Sequence, residues 1–273
     1  MYRKISPVIF GAALAPYFFV LALYLRTTVV PMLFLRERTG RRMLNSLVRF
    51  WGVNFFRMGA AINQINITAT GFKPEPGKSY LILSNHQSII DIALLFWVFR
   101  ESHVKFVMKK ELKWFIPNIS PATRMARFAF LDRAAGAKAN EKFLKDFASA
   151  VAEEGTGCVI FPEGTRSRDG KLRQFKRAGV MMLADNLDME VLAVSLDGTW
   201  RAATPMDLYN YLPGLDIKIH IEEPRDVKEL RENPKEFLHQ VRETMRSRLE
   251  EFRGEPVEDH VPSARRNTAQ AAG

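Results

Sequence analysis

Apolar residues are concentrated in a long N-terminal run and in short runs farther along the chain. No charged residue occurs at positions 5–25, a stretch of 21 residues, and a helix that spans a bilayer needs about 20. A shorter apolar run covers residues 27–35. Pro16 should kink a helix within the first run. The pattern predicts a membrane anchor over residues 1–38, either a kinked span or a two-helix hairpin in one leaflet, with a buried core helix as the alternative.

Residues 39–60 combine apolar and basic side chains in a second pattern. The apolar positions that recur at helical spacing are Leu44, Leu47, Val48 and Trp51, and the basic ones are Arg41, Arg42, Arg49 and Arg57. This spacing predicts a basic amphipathic helix. Such a helix can lie on a membrane surface or pack on the core of the protein.

Short apolar runs alternate with helical patterns in the remainder of the chain. We expect strands at 62–70, 80–83, 103–108, 128–131, 158–161, 191–196 and 217–221, and helices at 88–99, 138–153 and 234–252. This order predicts the α/β class, with a mixed, largely parallel central sheet flanked by helices in one domain over residues 61–253. Residues 254–273 are polar without periodicity, so we expect them to be disordered.

The formal net charge of +10 indicates an anionic partner, either nucleic acid or a membrane surface. A nucleic-acid-binding face interleaves basic residues with exposed aromatic ones, whereas the aromatic residues here cluster in the N-terminal apolar runs. We therefore expect membrane lipids and no nucleic acid as partners. The single cysteine, Cys158, excludes an intramolecular disulfide and fits a reducing compartment.

A histidine and an aspartate follow the apolar run at 80–83, in the segment NHQSIID. Side chains on a helix tilt toward its N-terminus, so Asp91 can reach back to His86 at the helix entrance. A carboxylate on one imidazole nitrogen fixes the tautomer and leaves the other nitrogen as a base. The pair predicts general-base chemistry on a substrate hydroxyl, with a simple capping turn as the alternative. The backbone amides near Gln87 and Ser88 are candidate donors to an oxyanion.

A second polar segment, FPEGTRSR, follows the apolar run at 158–161. Gly164 allows unusual backbone angles or a close ligand approach. Thr165 offers a hydroxyl, and Arg166 offers a planar fork that suits phosphate. The segment predicts an anion-binding loop, with a solvated surface loop as the alternative.

Together, the His-x4-Asp and Phe-Pro-Glu-Gly-Thr-Arg-Ser segments resemble the glycerolipid acyltransferase family, in particular the 1-acylglycerol-3-phosphate acyltransferases, over roughly residues 60–200. The resemblance implies transfer of a fatty acyl group from acyl-CoA or acyl carrier protein to lysophosphatidic acid. It implies no metal and no cofactor beyond the donor. It also implies a membrane protein, with the active site facing the cytoplasm.

The resemblance assigns roles to eight residues. His86 is similar to the family's general base and Asp91 to its orienting partner. The residues that match substrate-binding positions are Lys109, Arg133, Glu163, Gly164, Thr165 and Arg166. Arg133 ends the Phe130-Leu131-Asp132-Arg133 element, where the resemblance implies a second phosphate contact.

Two departures from the family pattern leave the acceptor open. Arg127 stands where the family has a glycine, and the run at 191–194 lacks the family's proline. We expect both to lie near the acceptor pocket or its support. The alternatives are therefore acyl transfer to another lysophospholipid or a lyso-aminolipid, and, outside the enzymes, a catalytically silent lipid-binding membrane protein.

Overall fold

The computed structural model describes residues 2–114, 119–132 and 135–259. Its strands are β1 (Asn66–Gly71), β2 (Leu81–Ser84), β3 (Val104–Lys109), β4 (Ala129–Leu131), β5 (Gly157–Ile160), β6 (Val191–Asp197) and β7 (Asp216–Ile221). Its α-helices are α1 (Tyr2–Tyr24), α2 (Val30–Leu35), α3 (Glu37–Asn63), α4 (Ile90–Val98), α5 (Ile119–Met125), α6 (Gly136–Glu154), α7 (Arg177–Ala184), α8 (Pro205–Tyr211), α9 (Val227–Glu232) and α10 (Pro234–Arg253). A π-helical turn, Leu25–Val29, joins α1 to α2, and 3-10 turns cover Lys110–Lys113 and Thr199–Ala202.

The strands form a seven-stranded sheet in the order β1-β7-β6-β2-β5-β3-β4. Every neighbouring pair is parallel except β6 and β7. Five adjacent strands therefore run in one direction, and β7 and β1 run in the other. The predicted mixed, largely parallel sheet is confirmed, and each predicted strand is present, although β1 starts late because α3 extends to Asn63.

Helices cover both faces of the sheet, as parallel strands require. Along β2, Ile82 belongs to an apolar cluster shared with α3 and α4, whereas Leu81 and Leu83 belong to a second cluster shared with α6, α7 and α10. This alternation follows from the two-residue period of a strand. Because both clusters are apolar, β2 reads in the sequence as a continuous apolar run.

The N-terminal region forms a helical hairpin. Residues 27–35 continue the first helix through the π-helical turn, and the chain reverses at Arg36. The second arm is α3, which packs along both α1 and α2, so the predicted hairpin has a different second arm. The hydroxyl of Tyr17 donates to the carbonyl of Trp51 at 2.8 Å and joins the arms. Helix α1 continues through Pro16, and the departure from regular α-helix lies at Leu25–Val29.

One helical segment in the described residues, Lys4–Leu35, is long and apolar enough to cross a membrane. Only 17% of its most apolar window is buried inside the protein. The exposed side chains include Val8, Phe19, Val20, Leu23 and Phe34. A core helix of a soluble protein would bury these groups, so the exposed apolar surface favours contact with lipid.

The C-terminal region extends the ordered domain slightly. Helix α10 ends at Arg253, one residue beyond the predicted helix. Val257 is buried, and Asp259 pairs with Arg242 and Arg246. Residues 254–259, which belong to the segment expected to be disordered, therefore pack on α10. Residues 260–273 lie outside the described residues.

Gly52 sets how closely α3 approaches α4, the helix that carries Asp91. A Cβ at this position would lie 2.3 Å from Cδ2 of Phe96, which is buried. We expect Gly52→Ala to destabilise the protein by about 1–3 kcal/mol through overpacking. Thermal or urea unfolding in detergent measures the change.

Gly11→Ala is the matched control. Gly11 is also helical, but a Cβ there meets nothing within 4 Å. Replacing a helical glycine by alanine in open space should stabilise by about 0.5–1 kcal/mol. Equal unfolding free energies for the two variants would contradict the packing account.

Candidate active site

The candidate residues lie along one edge of the sheet. Strands β2, β5, β3 and β4 are parallel neighbours in that order, so their carboxyl ends share an edge. His86 follows β2, Glu163 follows β5, and Lys109 ends β3. Since neighbouring strands are about 4.8 Å apart, the topology alone brings these chain positions within reach of one small substrate.

The predicted His–Asp pair is formed. Nδ1 of His86 lies 2.8 Å from Oδ2 of Asp91, and both residues are buried. Because a carboxylate only accepts hydrogen bonds, Nδ1 carries the proton and donates it to Asp91. In the neutral imidazole the lone pair is then on Nε2, which makes Nε2 the basic nitrogen.

Asp91 also shapes the turn that holds His86. Its Oδ2 accepts from the backbone amides of Gln87 at 2.6 Å and Ser88 at 2.8 Å. Its Oδ1 accepts from the hydroxyl of Thr199 at 2.6 Å. The amides of Gln87 and Ser88 are thus occupied by Asp91, and the expectation that they serve an oxyanion is wrong.

Three further contacts tie His86 to the FPEGTRSR loop. Its ring stacks on Phe161, with centroids 3.9 Å apart and planes 15° apart. Its carbonyl accepts from the amide of Ser167 at 2.7 Å, and its amide donates to Glu163 at 2.7 Å. The orientation of the imidazole therefore depends on both segments that the sequence singled out.

Glu163 has a structural position within this loop. Its Oε1 accepts from the amide of His86 and its Oε2 from the amide of Arg173, at 2.7 and 3.0 Å. Burial raises the pKa of Glu163 to about 8, although the two amides act in the opposite direction. The carboxyl joins the turn of residues 85–88, called the catalytic turn after its candidate base His86, to the loop. Direct contact of Glu163 with a substrate stays a prediction.

The next three residues of the loop face outward to different degrees. Gly164 has φ +69°, a left-handed conformation that explains the glycine. Thr165 is exposed, and Arg166 is half-buried, with Nη1 donating to the carbonyl of Ala203 at 3.3 Å. Because only Nη1 of the guanidinium makes this bond, its other N–H groups can be presented to a phosphate. Their role in binding an acceptor stays a prediction.

Of the two cations predicted at the ends of β3 and β4, one lies among the described residues. Lys109 is half-exposed at the end of β3 and lies 3.3 Å from Oε1 of Glu111. Arg133 lies outside the described residues. Among the residues that are described, no group of three His, Cys, Asp or Glu side chains is arranged to hold a metal ion.

A set of supporting residues had no signal in the sequence. Nε2 of Gln87 donates to Asp197 at 3.1 Å, and Asp197 accepts two bonds from Arg253 on α10. Asn85 makes two 2.8 Å bonds with the backbone of Leu196 on β6. The contacts of Asn85 and Gln87 join positions more than 100 residues apart, and that of Arg253 joins positions 56 apart, so local spacing could not reveal them. They hold the catalytic turn against the end of β6.

An apolar cavity of about 450 Å³ opens beside the catalytic turn. Ile89 and Ile90, which directly follow the turn, line it. Further walls come from α1, α3, α4, α5, α8 and the end of β3, with Phe10, Phe55, Ala60 and Leu208 among the lining residues. A cavity of this composition suits a hydrocarbon chain.

The two departures from the family pattern lie away from this edge. Arg127 precedes β4 and pairs with Glu153 at 2.6 Å, so it lies at the amino end of the strands. Its φ of +59° is the conformation that a glycine would adopt without strain. Leu192 is fully buried near the start of β6. That both departures lie near the acceptor pocket or its support stays a prediction.

Comparisons with known proteins agree with this geometry. The family model for the acyltransferases matches residues 64–197. The 1-acyl-sn-glycerol-3-phosphate acyltransferase of Borreliella burgdorferi is 30% identical over 181 residues, which cover 65% of this chain and 68% of that protein. The chain belongs to the 1-acylglycerol-3-phosphate acyltransferase family.

Other members of the family match over shorter stretches. The enzymes of the same description from Cocos nucifera and Limnanthes douglasii are 33% and 34% identical, over 44% and 46% of this chain. The chain spans less than half the length of these two relatives, 39% and 45%. The crystal structure of the 1-acyl-sn-glycerophosphate acyltransferase PlsC from Thermotoga maritima superposes with a TM-score of 0.65, at 26% identity, over 94% of this chain and 100% of that one.

We expect Thr199, which the family motifs do not contain, to act as a positioning residue. Removing its hydroxyl leaves Oδ1 of Asp91 without its 2.6 Å donor. A hydrogen bond to a charged group is worth about 1.5–3 kcal/mol, so we expect Thr199→Val to lower kcat about tenfold with little change in KM. Thr70→Val, at the remote β1 edge, is the control. An unchanged kcat would contradict the role.

Glu163 should give the protein a measurable pH dependence. Its pKa of about 8 in the folded state lies above its ordinary value of 4.5, so the protonated form stabilises the fold. That contribution is fully present below pH 4.5 and is lost as the pH rises through about 8. We expect the unfolding free energy of the wild type to fall by a few kcal/mol relative to that of Glu163→Gln between pH 5 and 8.5.

Urea unfolding of both proteins across this range measures the difference. The comparison cancels the titration of groups that the two proteins share. Parallel pH profiles would show that Glu163 does not change protonation there, and would contradict the raised pKa.

Proposed function

We propose that this protein transfers a fatty acyl group from acyl-CoA or acyl carrier protein to the sn-2 hydroxyl of 1-acylglycerol-3-phosphate, giving phosphatidic acid. The observation that carries the proposal is the position of the buried His86–Asp91 pair. The pair is bonded to the loop that carries Arg166, and two isoleucines between its members in the chain line the apolar cavity. This arrangement matches a substrate with an anionic head, a hydroxyl and an acyl chain.

His86 acts as the general base in the first step. Its Nε2 removes the proton from the acceptor hydroxyl while that oxygen attacks the carbonyl carbon of the thioester. Asp91 stabilises the imidazolium that forms, because its carboxylate already accepts the Nδ1 proton. A positioned base of this kind contributes about 10²–10⁴-fold.

The second step breaks the carbon–sulfur bond. The tetrahedral intermediate collapses, the ester remains on the acceptor, and the thiolate leaves with the proton that His86 carries. This scheme forms no acyl-enzyme and uses no cofactor beyond the donor. Acyl-CoA and acyl carrier protein both supply the same thioester, and both are acidic partners for a chain of net charge +10.

The apolar cavity is the proposed site of an acyl chain. Its walls combine residues of the N-terminal hairpin with residues of α4 and α8. A lipid substrate can therefore enter from a membrane in which the hairpin is embedded. The exposed Arg36, Arg38, Arg42 and Arg57 around α3 suit anionic head groups at that surface, and we propose that the active site faces the cytoplasm.

Acyl transfer measured on purified membranes tests the proposal directly. We expect the wild type to form phosphatidic acid from 1-acylglycerol-3-phosphate with at least one of the two donors. His86→Ala should lower the rate by about 10² or more, because the general base is lost. His239→Ala, at a position on α10, is the matched control and should retain the wild-type rate.

The acceptor and the chemistry are tested separately. Activity only on another lysophospholipid or a lyso-aminolipid would overturn the acceptor and preserve acyl transfer. A folded, membrane-bound wild type that acylates none of these acceptors would instead support the lipid-binding alternative and contradict the proposed reaction.

A further inference from the structure

Lys176 lies beside the anion-binding loop without belonging to either family motif. It stands between β5 and α7, directly before the first residue of α7. Its amide donates to the carbonyl of Pro162 at 2.7 Å. This bond holds the backbone of Lys176 against the loop, so the position of its side chain is tied to that of Gly164.

The side chain of Lys176 occupies the space over Gly164. A Cβ built on Gly164 would lie 3.0 Å from Cδ and 3.2 Å from Nζ of Lys176. The glycine therefore admits the lysine, in addition to satisfying the left-handed backbone. An anion that approaches the loop at Gly164 would come within hydrogen-bond distance of the ammonium group.

The charges around Lys176 leave its ammonium available. Two other cations of this region already have carboxylate partners. Lys109 is paired with Glu111, and the charge of Arg173 acts on Glu163. Among the described carboxylates, none lies within 4.0 Å of Nζ of Lys176, and the side chain is exposed. Arg166 and Arg168 add further positive charge on the same loop. Like charges brought together in this way are stabilised by a bound anion.

We propose that Lys176 binds the phosphate of the acceptor and thereby selects a phosphate-bearing lysolipid over an uncharged glyceride with the same hydroxyl. This assignment rests on the proposed function and adds a binding residue to it. A lysine suits this task because its ammonium is a compact charge on a flexible stem. It can follow a dianionic head group while His86 acts on the hydroxyl.

A phosphate contact has a kinetic signature that a structural role lacks. In mixed micelles, Lys176→Met should raise KM for 1-acylglycerol-3-phosphate by about 10-fold or more, the effect of losing one charge-assisted hydrogen bond. We expect kcat to stay within about twofold and KM for the thioester donor to be unchanged, because neither depends on this contact. Lys176→Arg should recover most of the affinity, since it restores the positive charge.

Monoacylglycerol, which has the hydroxyl but no phosphate, is the discriminating acceptor. We expect Lys176→Met to leave its rate unchanged, so that the preference for the phosphate-bearing acceptor falls by the same factor as its kcat/KM. Lys142→Met is the matched control, since Lys142 is exposed on α6 and outside the site, and it should match the wild type.

Three results would overturn the assignment. These are an unchanged KM for the phosphate acceptor, a rise in KM for the donor instead, or an equal loss with both acceptors, which would indicate a structural role. The proposed function is tested separately, by the wild type alone. If the wild type does not acylate 1-acylglycerol-3-phosphate, the proposed function fails, and the assignment of Lys176 fails with it.

Discussion

The carboxylate of Asp91 is fully buried, and an ionised group in that position is stable only if both oxygens are hydrogen-bonded. Three of its partners, the ring of His86 and two backbone amides, belong to the residues just before it in the chain. The same bonds that offset the cost of burial therefore fold the turn and select the tautomer of His86. Thr199, just after the neighbouring strand β6, supplies the fourth bond and ties the turn to the end of that strand.

The order of the strands converts this local geometry into a site for an amphipathic molecule. Because β5 lies between β2 and β3, the FPEGTRSR loop emerges directly beside the catalytic turn. Phe161 packs on the imidazole, and Glu163 bonds its backbone, so the cationic loop and the base share one support. The cavity next to Ile89 and Ile90 provides the apolar end. Head group, hydroxyl and acyl chain thus meet three different surfaces around one histidine.

The sequence predicts the strands well because each one is a short apolar run that ends in polar turn residues. It also predicts the His86–Asp91 contact, because the two residues are only five positions apart and helix geometry determines contacts over that distance. The short helices α7, α8 and α9 carry too few turns to show a period. The Gln87–Asp197–Arg253 contacts depend on how distant segments pack and have no local pattern.

The departures from the family pattern show the same limit. From the sequence, Arg127 in place of a glycine is expected to lie near the acceptor pocket or its support. In the fold, the residue lies at the opposite edge of the sheet, where it adopts the conformation of a glycine and pairs with Glu153. The identity of a residue alone does not reveal which edge of the sheet it occupies, because that depends on the direction of every strand.

The tautomer of His86 is the most direct test of this account. Two-bond ¹H–¹⁵N correlation spectra of histidine-labelled protein in detergent distinguish the two neutral forms, and the spectrum of His86→Gln assigns the signal among the five histidines. The account predicts a neutral ring at alkaline pH with its proton on Nδ1, and loss of that preference in Asp91→Asn. A proton on Nε2 in the wild type would contradict it, because His86 would then present a donor instead of a base to the acceptor hydroxyl.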